Sequence, residues 1–360
     1  TSLSIQGKMV KYFITGGCGF FGRHMVRCLL RHAPEVTEIV AYDVTVIPAM
    51  EFWSPRLKLV RGSVNDAAAV TKAMMGADVV IHAASIVDVW YRVPDEEIYR
   101  VNVNGTSTVL SCCVPCGVKV FVNTSSMEVV GPNNRGGPFI RGNEKTPYQI
   151  VHEHIYPLSK AKAEQLVSHY TGVSVKGGKT LRTCSLRPTG IYGEECDLLA
   201  KFYSDSVAAG NVSYGGSPDG SEHGRVYAGN VAWMHLQASR ALMGPKWEQV
   251  NAQAFFCYDD SPYLSYDDFN AQLFEDCDFT RVKVPYAVMK PIAVMNDIKR
   301  KVAAAFGKTW APILNSYTLS VARTSFTVKT NKAYKAFAYA PLYTWSQSKA
   351  NTKLWIKSLR

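Results

Sequence analysis

Short apolar runs alternate with longer segments of helical spacing through the first half of the chain. The runs are VKYFIT (Val10–Thr15), EIVAYD (Glu38–Asp43), LKLVRG (Leu57–Gly62), DVVIHA (from Asp78 through His82) and VKVFVNTS (Val118–Ser125). They are nearly continuously apolar, which predicts strands buried on both faces of a sheet. Between them, FFGRHMVRCLLRH and EEIYRVNVNGTSTVLSCC carry apolar residues at helical spacing and predict crossover helices. Strands that alternate with helices in this way predict an α/β fold, a Rossmann-type doubly wound parallel sheet.

Beyond residue 130 the rhythm changes. A Gly/Pro/Asn-rich loop (Gly131–Pro147) leads to a helix starting near Tyr156, then a strand, LRTCSLRP (Leu181–Pro188). Further on, HGRVYAGNVAWMHLQASRAL predicts a strand feeding a helix, and the C-terminal third shows no clear alternation. The expected organisation is a nucleotide-binding domain over 9–190 that carries the catalytic residues, with 225–258 returning to it. A smaller, interleaved substrate-binding region is expected over 191–360. Residues 1–8 precede Met9 and are read as a processed or added extension.

With 47% hydrophobic residues in 360, the chain can bury a full core, which excludes a disordered protein. The sequence has no apolar run of membrane-spanning length and no secretory leader, so no membrane span and a cytoplasmic location are expected. Nine cysteines lack metal-ligand spacing; even CCVPC (Cys112, Cys113, Cys116) has no second pair nearby, so reduced thiols and no metal are expected. The sequons at Asn104, Asn123 and Asn211 read as chance matches, Asn123 closing an apolar strand. The net charge of +11 is spread without a Lys/Arg block, which argues against nucleic acid and leaves room for an anionic ligand.

The chemistry begins at TGGCGFFG (Thr15–Gly22). Gly16, Gly19 and Gly22 lie between a strand and a helix, where bare backbone approaches a pyrophosphate at a helix N-terminus. Asp43 ends the second strand, positioned to hydrogen-bond ribose hydroxyls and to repel a 2′-phosphate, so NAD is expected over NADP. No Lys or Arg occurs in the following VTVIPAM. In YPLSK, Tyr156 and Lys160 share a helix face, where the ammonium can stabilise a phenolate base. A second Tyr-x-x-x-Lys, Tyr286 to Lys290, sits between prolines far past the sheet and is read as a decoy. Ser126 in NTSSMEV, at a strand's C-terminal edge, is placed to hydrogen-bond a substrate oxygen.

Taken together, these residues resemble the extended short-chain dehydrogenase/reductase superfamily, and within it the 3β-hydroxysteroid dehydrogenase/Δ5–Δ4 isomerase family. The resemblance runs from Met9 to about Ile356 and rests on TGGCGFFG, HAASIVDVW, VNVNGT, TSSMEVVGPN, YPLSKAKAEQLV, LRPTGIYGE, YAGNVAWMH and PLYTWSQSKANTKLWI. In detail, SSMEVVGPN…GGPFI, RPTGIYGE and FFCYDDSP look most like the members carried by large DNA viruses, which implies a host-cell cytoplasmic setting.

The resemblance implies an NAD-dependent enzyme that oxidises 3β-hydroxy-Δ5-steroids. Tyr156 is then the base, Lys160 its partner and a ribose ligand, and Ser126 the oxygen-binding donor. Gly16, Gly19, Phe20, Gly22, Asp43, Ser63, Val64, Ala83, Lys160 and Pro188 would hold NAD, and Asn102 would support the site. Ser63 stands where the family usually has an Asp for the adenine amine. For isomerisation the resemblance implies Asp259, while Phe255 replaces an expected Tyr and cannot move a proton; Tyr258 is an alternative donor. Vertebrate members attach to membranes through an apolar segment whose counterpart here, VPYAVMKPIAVMNDIKRKVAAAF, is too interrupted to span a bilayer. A substrate-covering helix is expected there, with interfacial contact as the alternative. Self-association as a homodimer stays open. So do two other readings: an epimerase or dehydratase on nucleotide sugars, with Arg135, Arg141 or Arg225 as diphosphate clamps, and a non-catalytic NAD(H) sensor.

Overall fold

A computed structural model describes residues 9–46, 54–133, 135 and 137–359. The extension 1–8 and the end of VTVIPAM lie outside the described residues. Seven parallel strands form the central sheet: β1 (Val10–Thr15), β2 (Val36–Asp43), β3 (Leu57–Arg61), β4 (Val79–His82), β5 (Val120–Thr124), β6 (Arg182–Pro188) and β7 (Gln253–Cys257). Their spatial order is β7-β6-β5-β4-β1-β2-β3. This is the doubly wound arrangement with one added edge strand, and its order reverses between β1 and β4.

The continuous apolar runs are explained by what covers them. Val10, Tyr12 and Ile14 of β1 enter one core, while Phe13 enters the core on the opposite face. Helices α1 (Phe20–His32) and α5 (Ala228–Met243) pack together on the first face, and α2 (Ala67–Met74), α3 (Gly105–Cys116) and α4 (Ile155–His169) on the second. Both faces of the inner strands are covered by helices, which favours apolar side chains along them.

The remaining chain is layered over the C-terminal ends of the strands. Gly190–Tyr192 pairs in parallel with Arg225–Tyr227, Val212–Gly215 with Thr280–Lys283, and Phe326–Val328 with Phe139–Gly142. The last pairing lies partly inside the segment read as a loop; its register is set by a strand nearly two hundred residues away, a partner that local sequence does not reveal. Likewise, the single helix expected across EEIYRVNVNGTSTVLSCC is interrupted by a π-helical turn, Arg100–Asn104. Such turns re-aim a side chain, and here the buried side chain is Asn102.

Helix α6 (Tyr286–Ala305) keeps Pro291 inside it. Its Met289 and Ile292 line the central cavity, while Met295, Ile298 and Val302 are exposed. Among the described residues no helix is long and apolar enough to cross a membrane. Among the described residues no disulfide joins any of the nine cysteines.

Candidate active site

The glycine turn leaves no room for side chains. Gly16 has φ of +68°, and a Cβ on Gly22 would come within 2.0 Å of the Gly16 carbonyl oxygen. The passage from β1 into α1 is therefore a cradle of bare backbone at a helix N-terminus, which suits a pyrophosphate. Asp43, at the end of β2, accepts hydrogen bonds from the Cys18 and Thr45 N–H groups at 3.0 and 3.1 Å. Those bonds fix the carboxylate beside the cradle.

A cavity of about 1500 Å³ opens from this cradle along the sheet's C-terminal edge. It is lined by Gly16, Gly19, Phe20, Gly22 and Asp43, then by Ser63, Val64, Ala83 and Pro188, and finally by Ser126, Tyr156 and Lys160. Residues spread over most of the nucleotide-binding half therefore meet in one space.

At the catalytic end, α4 starts with His154 as N-cap, its Nδ1 accepting from the Tyr156 N–H at 3.1 Å. Ser126 and the Tyr156 phenol both line the cavity. Burial pushes the phenol well above its ordinary range and the nearby Glu128 adds to the rise, while Ser126 opposes it. Lys160 donates to the Thr124 carbonyl at 2.6 Å, and burial lowers it to about 8, with Glu164 opposing. Its ammonium is still the major form at pH 7. The sequence expectation was that Lys160 brings the phenol down; in this arrangement the ammonium is engaged by Thr124, and desolvation sets the phenol.

Asn102 ties the parts together. Its Oδ1 accepts from the Ile86 N–H at 2.7 Å, and its Nδ2 donates to the Ile86 carbonyl and to Ser159 Oγ at 3.0 and 2.9 Å. It thus fastens the cavity-lining chain after β4 to α4.

Asp259 requires a correction. It does not line the cavity: one carboxylate oxygen accepts from the Tyr227 N–H and Asn230 Nδ2 at 2.9 and 3.0 Å, and the other from the Ser261 N–H at 2.9 Å. It holds the N-terminus of α5, where a carboxylate is favoured, and lies apart from the cavity that Ser126, Tyr156 and Lys160 line. Phe255 is fully buried against Phe337, and the Tyr258 side chain does not line the cavity either. Among the carboxyls that line the cavity, the one that acts on the Tyr156 phenol is Glu128, which sequence reasoning missed although it stands two residues after Ser126 in TSSMEVVGPN. Tyr317 donates to its Oε2 at 2.6 Å, and enclosure raises the carboxyl to about 7, the Tyr317 bond opposing.

The second Tyr-x-x-x-Lys is a surface feature, with both Tyr286 and Lys290 exposed on α6. Arg135 and Arg141 lie outside the cavity, Arg141 pairing with Glu222 at 3.0 Å, whereas Arg225 lines it. Among the described residues no cluster of His, Cys, Asp and Glu could hold a metal ion.

Residues 13–288 match the model of the 3-beta hydroxysteroid dehydrogenase/isomerase family. The chain belongs to that family. Its relatives within the family include 3 beta-hydroxysteroid dehydrogenase type 7 of Homo sapiens, 44% identical over 99% of this chain and 98% of that protein. A 3 beta-hydroxysteroid dehydrogenase/Delta 5-->4-isomerase of Vaccinia virus (strain Ankara) is 39% identical over 97% of this chain and 99% of that protein. An uncharacterized protein of Frog virus 3 is 64% identical over 98% and 100%. Among solved structures, a dTDP-glucose 4,6-dehydratase from Streptomyces venezuelae with NAD bound has a TM-score of 0.70 at 21% identity, covering 97% of both chains. That likeness carries the Rossmann-type fold alone. As a member of the steroid dehydrogenase/isomerase family, the chain is an enzyme.

Proposed function

We propose that this family member oxidises the 3β-hydroxyl of Δ5-steroids with NAD and then moves the 5,6 double bond into conjugation. The observation that carries the reading is the single cavity joining the glycine cradle and Asp43 to Ser126, Tyr156 and Lys160, with Ile86, Val87, Trp90, Ile292, Ile313 and Leu314 among its walls. Such walls suit a sterol skeleton.

The residues present fit the cofactor. The cradle that a Cβ on Gly22 would fill receives the pyrophosphate, Asp43 the ribose hydroxyls, and Ser63 with Val64 the adenine edge. Bound there, NAD would supply the hydride acceptor. Ser126 and Tyr156 hydrogen-bond the 3-oxygen, and the phenol oxygen takes the hydroxyl proton as the carbonyl forms, with Lys160 favouring the phenolate. For the second step, the Glu128 carboxylate takes a proton from C4 of the β,γ-unsaturated ketone, while Tyr156 and Ser126 hydrogen-bond the enolate oxygen. Glu128 then returns the proton to C6. The double bond moves from 5,6 to 4,5 with no net change of protons or electrons.

The test follows reduced nicotinamide and the conjugated enone at separate wavelengths, with pregnenolone and NAD. Both signals are expected to rise. Absence of both, with NAD bound, defeats the reading.

The choice of cofactor follows from Asp43. Asp43→Ala removes the carboxylate that would face a 2′-phosphate, so the ratio of kcat/KM for NAD over NADP is expected to fall by about ten-fold or more. Steady-state kinetics with each cofactor measure it.

A further inference from the structure

Among the described residues, one cation in the cavity wall besides Lys160 has no carboxylate partner. Arg225 is 7% exposed and lies opposite Gly190 in the short parallel pair that borders the cavity. Its Nη2 donates to Asn270 Oδ1 at 3.4 Å, the Tyr266 and Phe269 rings lie 5.2 and 4.8 Å from its Cζ, and its Nε has no partner. The titratable groups that act on it are Tyr266, Cys196 and Tyr192, all neutral at pH 7.

Several other arginines pair with carboxylates, whereas Arg56 donates only to main-chain carbonyls and the Arg300 Nε also has no partner. Arg187 pairs with Glu164, Arg240 with Glu35, and Arg23 and Arg27 with Glu195. Within the cavity lining the same holds: Arg92 pairs with Asp88, Arg100 with Glu97, Lys201 with Asp205, Arg281 with Asp268 and Lys283 with Asp219. Among the described residues this leaves Lys160, at the catalytic end, and Arg225. A buried guanidinium without a counter-charge is costly, and an arriving anion removes that cost. Tyr266, whose ring lies 5.2 Å from the Arg225 Cζ, lines the same cavity as Glu128.

We infer that Arg225 is the receptor for a single anionic oxygen group at the far end of the substrate, and that the preferred substrate is a 3β-hydroxy-Δ5-steroid whose side chain carries a carboxylate. The inference rests on the steroid reading above. A sulfate on the 3-oxygen is excluded, because that oxygen must be free to be oxidised. A diphosphate would bring more charge than one free guanidinium matches, next to the carboxylates that already hold Lys201, Arg281 and Lys283. A carboxylate matches both the charge and the planar fork of the guanidinium.

The experiment compares one Δ5-3β-hydroxysteroid skeleton bearing a side-chain carboxylate with its methyl ester, on the full chain, by kcat/KM with NAD. In the wild type the acid is expected to exceed the ester by about ten-fold or more. Arg225→Met should bring that ratio to about one, and Arg225→Lys should keep part of it, with thermal melts reporting folding. A wild-type ratio near one, or a ratio untouched by Arg225→Met, overturns the inference. Stabilisation of the wild type by UDP that is lost in Arg225→Met overturns it in favour of a diphosphate. Failure to oxidise any 3β-hydroxysteroid defeats the steroid reading itself, an outcome distinct from oxidation of both substrates at equal rates.

Discussion

Tyr156→Phe is expected to lower kcat for 3β-alcohol oxidation by about 10³-fold, within the range of general acid–base catalysis, while NAD binding is retained. The ring stays, so packing at this buried position on α4 is preserved; what goes is the oxygen proposed to accept the substrate proton. Burial pushes the phenol up and Lys160 down to about 8. Single-turnover oxidation, with NAD affinity measured by calorimetry, separates the lost proton transfer from a lost cofactor site. Oxidation at near wild-type rate would remove Tyr156 from the mechanism.

Glu128→Gln is expected to slow isomerisation of an added Δ5-3-ketosteroid by about 10²- to 10⁴-fold, read as enone formation in the presence of NADH. Supplying the ketone bypasses oxidation, so the result does not depend on how the variant oxidises alcohols. The amide keeps the shape of the carboxyl and its contact with Tyr317 but cannot take the C4 proton. The carboxyl lies near 7 in the folded protein and must be ionised to act. Wild-type isomerisation should therefore rise with pH up to about 7 and level off above it, and the remaining rate of Glu128→Gln should lose that rise. Enone formation by the variant at wild-type rate would return the proton shift to another group.

Much of the fold was legible because its cause is local. Strands covered on both faces must be apolar throughout, so β1, β2, β4, β5 and β6 stand out within a residue or two of their observed bounds. The glycine turn is equally local: the cradle needs residues without Cβ atoms, since a Cβ on Gly16, Gly17 or Gly22 would come within 2.7 Å of neighbouring atoms. Tyr156 and Lys160 fall four apart on one helix, a spacing that sequence records directly. The matching spacing at Tyr286 and Lys290 could be set aside only by its place far past the sheet, and it proves to lie on an exposed helix.

The rest depends on what long-range packing brings near. Asp259 and Glu128 are both plausible acids on paper, but tertiary structure turns the first into the holder of a helix end and the second into the wall of a cavity. Burial then sets what each can do: one is saturated by hydrogen bonds, and the other is left near neutrality with a single phenol donor. Arg225 carries no local sign that it lacks a carboxylate, because ion pairing is a property of neighbours distant in sequence. By itself the sequence determined the parallel sheet, the nucleotide cradle and the Ser-Tyr-Lys set, each fixed by backbone sterics or by periodicity. Only the tertiary structure decided which carboxyl faces the substrate space and which cation waits there unpaired, since desolvation and charge pairing depend on every element that packs around a group.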